Sequence, residues 1–100
     1  MVMVGAGFRL SMASMPAITR FLGITIWMYH NDHRPAHFHA GCSGDEVLIY
    51  IETLGILEGE MAPRIIGLVL EWASRHQDEL RENWKLARAG RPLRRIAPLE

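Results

Sequence analysis

The stretch HNDHRPAHFHA, residues 30–40, contains four of the five histidines of the chain. Imidazole is the commonest side-chain metal ligand, and its protonation changes near neutral pH. Crowding of this residue type therefore indicates a metal site or a site of acid–base chemistry. A third interpretation is structural, with polar side chains hydrogen-bonded to hold a turn against the rest of the fold.

The spacing of His37 and His39 favours a shared site. Two residues apart on an extended segment, their rings point to one face, while Phe38 and Ala40 point to the other face and into the core. A His-x-His pair on a strand is a usual arrangement for two ligands of zinc or another divalent transition metal. Further ligands are expected from the preceding loop, which offers His33 first and then His30 or Asp32.

The same residues could also work without a metal. One of His37 and His39 would act as base and the other as acid, with His33 assisting. Arg34 would then stabilise a developing phosphate or carboxylate charge. The stretch has no cysteine and no His-x-x-x-His element on a helix, either of which would favour the metal. Both chemical alternatives therefore remain open.

The elements that must position these residues begin with strands. Alternation of side chains and β-prone composition predict extended segments separated by short turns. In the segment 46–52, Val47, Ile49 and Ile51 would share one buried side. Short connections favour antiparallel neighbours, so the pattern predicts a three- or four-stranded antiparallel meander. The predicted segments are 23–30, 37–41, 46–52 and an edge strand at 56–60.

The second half of the chain changes to a helical period. Pro63 suits a first helical turn, and Gly90 with Pro92 ends the pattern. A single helix of this length would be about 40 Å long, so we expect one bent helix or two helices, with the break near residues 75–79 and Asp78 as the second N-cap. The apolar stripe consists of Ile65, Val69, Trp72, His76, Leu80, Trp84 and Ala87. In the tail, Ile96 and Leu99 are expected to pack back on the fold.

Length and composition bound the class of protein. One hundred residues with zero net charge and 49% hydrophobic residues are typical of one globular domain. We predict a disordered extension at residues 1–14 and a single α+β domain at residues 15–100, its meander packed against the C-terminal helical segment. The single cysteine excludes an intrachain disulfide, and no apolar run approaches the roughly 20 residues of a membrane span. A cytoplasmic protein is expected.

The charges are segregated although their sum is zero. Residues 45–60 contain five acidic and no basic residues, while residues 85–95 contain only basic charges. One interpretation is a solvated strand edge and a solvated tail that attract each other. The other is a basic arm that meets RNA, DNA or an acidic partner. The candidate partner-binding residues are Lys85, Arg88, Arg91, Arg94 and Arg95.

Several motifs together resemble one bacterial family. They are MPAITRFLGITIWMY, NDHRPAHFHA, GEMAPR, LEWASRHQDEL, NW and IAPL, spread over residues 15–99. In this combination the chain resembles domain-of-unknown-function family 4160, although Ala36 stands where the family usually has a second proline. Members are often encoded beside family 2442, a suspected toxin–antitoxin-like pair. The resemblance thus implies an interaction module that pairs with a small cognate protein. The alternative is a small hydrolase or nuclease that uses His37 and His39.

Overall fold

The computed structural model describes residues 17–100, so the extension predicted at residues 1–14 lies outside the described residues. The strands are β1 (Ala17–Phe21), β2 (Ile24–Trp27), β3 (His37–Cys42), β4 (Asp45–Tyr50) and β5 (Ile56–Gly59). They form one antiparallel sheet in the order β1-β2-β3-β4-β5. Each strand pairs with the next along the chain, which confirms the predicted meander.

The sheet has five strands, so the predicted count of three or four was wrong. The additional strand is β1, which pairs with β2 through a two-residue turn. Leu22 and Gly23 form this turn with φ values of 50° and 79°, which is the positive-φ geometry that suits tight hairpins. Ile18 and Phe21 are buried three residues apart rather than two. Strict alternation is therefore absent, and a search for period two does not find this strand.

Two helices follow the sheet, α1 (Pro63–Ser74) and α2 (Gln77–Arg88). The chain breaks between them at the predicted place. The predicted cap at Asp78 was wrong, because His76 is the N-cap residue and makes no side-chain capping bond. Asp78 lies inside the first turn of α2, where its carboxylate interacts favourably with the helix dipole. Neither helix of residues 17–100 is long and apolar enough to cross a membrane.

The core lies between one face of the sheet and the helices. Val47, Ile49 and Ile51 are fully buried on the predicted side of β4 and beyond its end. From α1, the Trp72 ring contacts the rings of Phe21 and Phe38, with centroids 5.9 and 6.0 Å apart. The molecule is therefore an α+β domain of two layers, as predicted.

The C-terminal tail is fixed mainly by hydrogen bonds to its backbone atoms, most of them with side chains of the two helices. Asn83, buried on α2, accepts from the Arg94 backbone N–H at 2.8 Å and donates to the Arg94 carbonyl at 2.9 Å. Trp72 Nε1 donates to the Ala97 carbonyl at 2.8 Å. The Ile96 N–H donates to the Ile18 carbonyl of β1 at 3.2 Å. Ile96 is buried and Leu99 packs against the core, which confirms the predicted return of the tail.

Candidate functional site: an Asp–His cluster

The segment between β2 and β3 that carries the first histidines, residues 30–36, is anchored on the end of α2; we call it the histidine loop. The Asn31 N–H donates to the Ala87 carbonyl at 3.0 Å. Arg88 Nη1 donates to the Asp32 carbonyl at 2.6 Å. His30 Nε2 donates to the Arg91 carbonyl at 3.1 Å. These contacts fix the position of Asp32 relative to the sheet.

Asp32 and the two histidines of β3 converge at one point. Asp32 Oδ2 lies 3.1 Å from His37 Nε2 and 3.2 Å from His39 Nε2. One ligand atom from each of these three residues lies within 4.8 Å of the other two. We call Asp32, His37 and His39 the Asp–His cluster. The predicted common face of His37 and His39 is confirmed, because both rings meet the same carboxylate oxygen.

The opposite nitrogen of each ring is held by a separate acceptor. His37 Nδ1 donates to the Pro35 carbonyl at 2.7 Å. His39 Nδ1 donates to Glu46 Oε2 on β4 at 2.9 Å. A carbonyl or an ionised carboxylate can only accept, so Nδ1 is the protonated nitrogen in both rings. A neutral imidazole with its proton on Nδ1 presents a bare lone pair at Nε2.

The cluster therefore requires positive charge at its centre. Two Nε2 lone pairs and a carboxylate oxygen would face one another if both rings were neutral, and nothing would donate. Protonation of both rings would satisfy the contacts, but it would put two imidazolium ions together, with ring centroids 5.2 Å apart. A single metal cation bound to the three atoms would satisfy them with both rings neutral.

Aromatic side chains enclose the two histidines. The Trp27 ring stacks on His39 with centroids 5.4 Å apart and an interplanar angle of 19°. Tyr29 meets the same ring edge-on at 4.8 Å. Trp84 of α2 packs on His37 at 5.4 Å. The side chains of His37 and His39 are 0% and 7% exposed and that of Asp32 is 15% exposed, so the cluster opens to solvent on the side of the histidine loop.

The electrostatic surroundings keep Asp32 ionised. Burial by itself would raise the pKa of its carboxyl group. When His37 and His39 are protonated, a hydrogen bond from His39 and the positive charge of both rings, together with a hydrogen bond from the His33 backbone N–H, outweigh burial and lower the pKa of Asp32 below its usual value. Asp32 is therefore a carboxylate in the neutral range, the form in which it can bind a cation.

The other predicted candidates lie around the cluster rather than in it. His33 Nδ1 contacts the second oxygen of Asp32 at 3.0 Å, but the His33 side chain is 80% exposed and belongs to no group of ligand atoms among residues 17–100. His30 faces Arg91, as described above. The predicted catalytic residue Arg34 is exposed and lines a pocket beside Trp84. His76 lies between α1 and α2, where it packs on Trp72 and contacts Glu79, away from the cluster.

Glu46, the Pro35 carbonyl and the aromatic enclosure are parts of the site that were not predicted from the sequence. Glu46 lies seven residues after His39 and approaches it only because β3 and β4 pair as a hairpin, with Gly41 opposite Glu46. The short turn expected between the predicted segments 37–41 and 46–52 makes these two segments neighbours. A search of the facing strand for acceptors could therefore have found Glu46.

The predicted basic residues are exposed and lack acidic partners. Among residues 17–100, none of their side chains lies within 4.0 Å of a carboxylate, whereas Arg75 and Arg81 each form such ion pairs. The attraction expected between the basic residues 85–95 and the acidic residues 45–60 therefore produces no ion pair within residues 17–100. The ion pair that links α2 to the end of β4 is Arg81 with Glu52. The unpaired basic residues are Lys85, Arg88, Arg91, Arg94 and Arg95.

A protein-family model described as a domain of unknown function, DUF4160, matches residues 23–85, nearly two thirds of the chain. The chain therefore belongs to this family, as the resemblance indicated. The matched region includes the whole Asp–His cluster with Glu46 and Trp84. Neither the curated proteins nor the solved structures gave a significant match. The pairing with family 2442 stays a prediction.

Proposed function

We propose that the Asp–His cluster binds zinc or another divalent transition metal. The observation that carries the proposal is the pair of Nδ1 hydrogen bonds, to Pro35 and Glu46, which leave both Nε2 atoms aimed at Asp32. Metal-bound histidines usually donate their other ring N–H to a carbonyl or carboxylate in this way. The 3.1 and 3.2 Å separations are close to the roughly 3.3 Å between two ligands of a tetrahedral metal with bonds of about 2.0–2.1 Å.

Three protein ligands leave at least one coordination position open. Catalytic zinc sites keep three protein ligands and one exchangeable position, whereas structural sites are closed by four. A metal held in this way supplies Lewis acidity and activates water for hydrolysis. We therefore infer that the chain is a small metal-dependent hydrolase, with Asp32, His37 and His39 as ligands.

The contacts favour the metal over metal-free acid–base catalysis. A general base needs a ring nitrogen with a free lone pair within reach of the substrate. Without a metal, His37 and His39 satisfy their contacts only when both ring nitrogens carry protons, so neither ring offers a base. His33, which is exposed beside Asp32, is better placed to exchange protons with a substrate in either case.

The experiment is a zinc titration of protein purified without an affinity tag. A His37→Ala, His39→Ala double variant should bind zinc at least about 100-fold more weakly than the wild type, because two of three ligands are lost. The matched control is His30→Ala with His33→Ala, which removes two histidines from outside the cluster and should retain most of the affinity. Equal zinc affinity in the two double variants would refute the metal site.

A second candidate function, an interaction module, rests on the unpaired basic residues. Exposed cations without acidic partners are available to a negatively charged surface. The proposed partner is a small cognate protein of family 2442, with nucleic acid as the other acidic partner considered. Co-purification with the product of a neighbouring gene of that family tests the proposal. Separate elution at micromolar concentrations would exclude a stable pair.

A further inference from the structure

A pocket lies beside the cluster and is lined in part by Trp84. This open pocket of about 460 Å³ is lined by residues from the histidine loop and from the last turns of α2. One wall is the Trp84 ring, which packs on His37 of the cluster. The lining residues are Arg34, Trp84, Lys85, Arg88 and Ala89.

The three cations of this pocket come from two elements that the fold brings together. Lys85 and Arg88 are three residues apart on α2, so their side chains lie on one face of the helix. Arg34 arrives from the histidine loop. Arg88 fixes the loop in place by donating to the Asp32 carbonyl at 2.6 Å. The contact that orients Asp32 for the cluster is therefore also a contact of the pocket.

None of these charges is neutralised by the described part of the chain. The side chains of Arg34 and Lys85 make no hydrogen bond or ion pair with residues 17–100, and the side-chain bond of Arg88 goes to the neutral carbonyl of Asp32. No carboxylate lines the pocket, since the Asp32 carboxylate is turned towards His37 and His39. The helix dipole favours Lys85 and Arg88 near the end of α2. It does not account for Arg34, which belongs to another element.

We propose that this pocket binds the phosphate of a nucleoside phosphate, with the base against Trp84. Arginine and lysine are the side chains that bind phosphate oxygens. An indole ring next to such cations is a stacking surface for a base. This inference rests on the proposed hydrolase and names its substrate class, because the pocket and the metal ligands share the Trp84–His37 contact.

The test is binding of adenosine 5′-monophosphate to the full chain at low salt. Calorimetry and tryptophan fluorescence measure the binding. Inorganic phosphate and adenosine are measured alongside. The nucleotide should bind at a single site, more tightly than either fragment, and should quench the fluorescence of the wild type but much less that of Trp84→Phe. An Arg34→Ala, Lys85→Ala variant should bind it at least about tenfold more weakly.

The matched control is Arg20→Ala with Arg64→Ala, which removes the same charge from exposed positions outside the pocket that form no ion pair with residues 17–100. It should change the affinity less than about twofold. The proposal is overturned if the nucleotide does not bind, if adenosine binds equally well, or if the two double variants weaken binding to the same extent.

Measurement with and without a chelator separates this inference from the proposed hydrolase. If the nucleotide binds in the presence of a chelator and zinc does not bind, the phosphate site is supported and the metal centre is refuted. If zinc binds and the nucleotide does not, the metal centre is supported and the phosphate site is refuted.

Discussion

Glu46 holds the ring of His39 from the neighbouring strand. Its carboxylate fixes the proton on Nδ1 and turns Nε2 towards Asp32. Loss of such a partner usually lowers metal affinity by about 10–100-fold. We therefore expect Glu46→Ala to weaken zinc binding by this factor in a competition titration with a chromophoric chelator.

The control for Glu46 is its neighbour Asp45, whose exposed side chain makes no hydrogen bond or ion pair with residues 17–100. Asp45→Ala removes the same charge at a similar distance along the chain. It should leave the zinc affinity within about twofold of the wild type. A similar loss in both variants would mean that Glu46 acts through general charge and not through the His39 ring.

Part of the site follows from local sequence. Period two places His37 and His39 on one face of any extended segment, and the short loop before them keeps Asp32 within reach. The sequence could not decide whether His33, His30 or Asp32 is the third ligand, because the dihedral angles of the loop determine which side chain turns inward. The Asn31 bond to Ala87 and the Arg88 bond to Asp32 make that choice. Both depend on tertiary packing with α2.

At the scale of the elements, Trp72 joins α1 to the sheet and to the tail. Its side chain is fully buried against Phe21 and Phe38, and its indole N–H donates to Ala97. Trp72→Ala should lower the free energy of unfolding by roughly 3–5 kcal/mol because it leaves a large cavity. Urea denaturation followed by circular dichroism measures this change.

Two further variants calibrate the Trp72 result. Trp72→Phe keeps much of the ring but leaves the Ala97 carbonyl without its donor, so it should cost less than Trp72→Ala and at least about 1 kcal/mol. Arg64→Ala, on the exposed side of α1, should cost less than about 0.5 kcal/mol. A change below about 1 kcal/mol for Trp72→Ala would place this face of α1 outside the core.

The ion pair of Arg81 with Glu52 fastens α2 to the end of β4 and should be sensitive to pH. Hydrogen bonds from Arg81, at 2.8 and 3.0 Å, lower the pKa of Glu52 below its usual value of about 4.3. A carboxyl group with a lowered pKa in the folded state stabilises the fold above its unfolded-state pKa. That stabilisation is lost as the pH falls through the lowered folded-state pKa.

We therefore expect Glu52→Gln to lower the melting temperature slightly at pH 7, because the pair is exposed and screened. The difference from the wild type should shrink below about pH 4. Glu58→Gln, at an exposed position that forms no ion pair with the described residues 17–100, is the control and should show no such trend. A difference for Glu52→Gln that is equally large at pH 3 would contradict the assignment.

Elements with a regular period were predictable, and those set by turn geometry were not. The spacing of apolar residues on the helices and their alternation in β4 follow directly from which side chains are buried. β1 was missed because its burial does not alternate and its partner is reached through Leu22 and Gly23 at positive φ. The predicted cap at Asp78 failed for a related reason. The helix begins two residues earlier than a cap at Asp78 implies, at Gln77, whose side chain donates to the Ile51 and Glu52 carbonyls.

At the scale of the whole molecule, a net charge of zero conceals a separated distribution. The acidic segment lies on β4 and β5 at one edge of the sheet, while the tail reaches β1 at the other edge. The tail is attached through hydrogen bonds to its backbone and through apolar contacts, and its arginine side chains form no ion pair with residues 17–100, so they are available to a partner. Sequence alone could not separate a docked tail from a partner arm, because both need the same composition.

Charge reversal of the arginines at 91, 94 and 95 to glutamate tests this separation. The melting temperature should change by no more than about 2 °C, because exposed charges contribute little to stability. Binding to a family 2442 partner or to nucleic acid should be lost, as followed by co-elution. A large loss of stability would show that these side chains hold the tail in place, contrary to their lack of acidic partners.

In the proposed metal centre, one cation joins His37 Nε2, His39 Nε2 and the Asp32 carboxylate. The most direct measurement is ¹⁵N nuclear magnetic resonance of histidine-labelled protein loaded with ¹¹³Cd, which stands in for zinc. We predict one bound ¹¹³Cd coupled to the Nε2 of two imidazoles, those lost in the His37→Ala and His39→Ala variants, with both Nδ1 atoms still protonated. Coupling through Nδ1, coupling to His30, His33 or His76 instead, or the absence of bound cadmium would contradict the account.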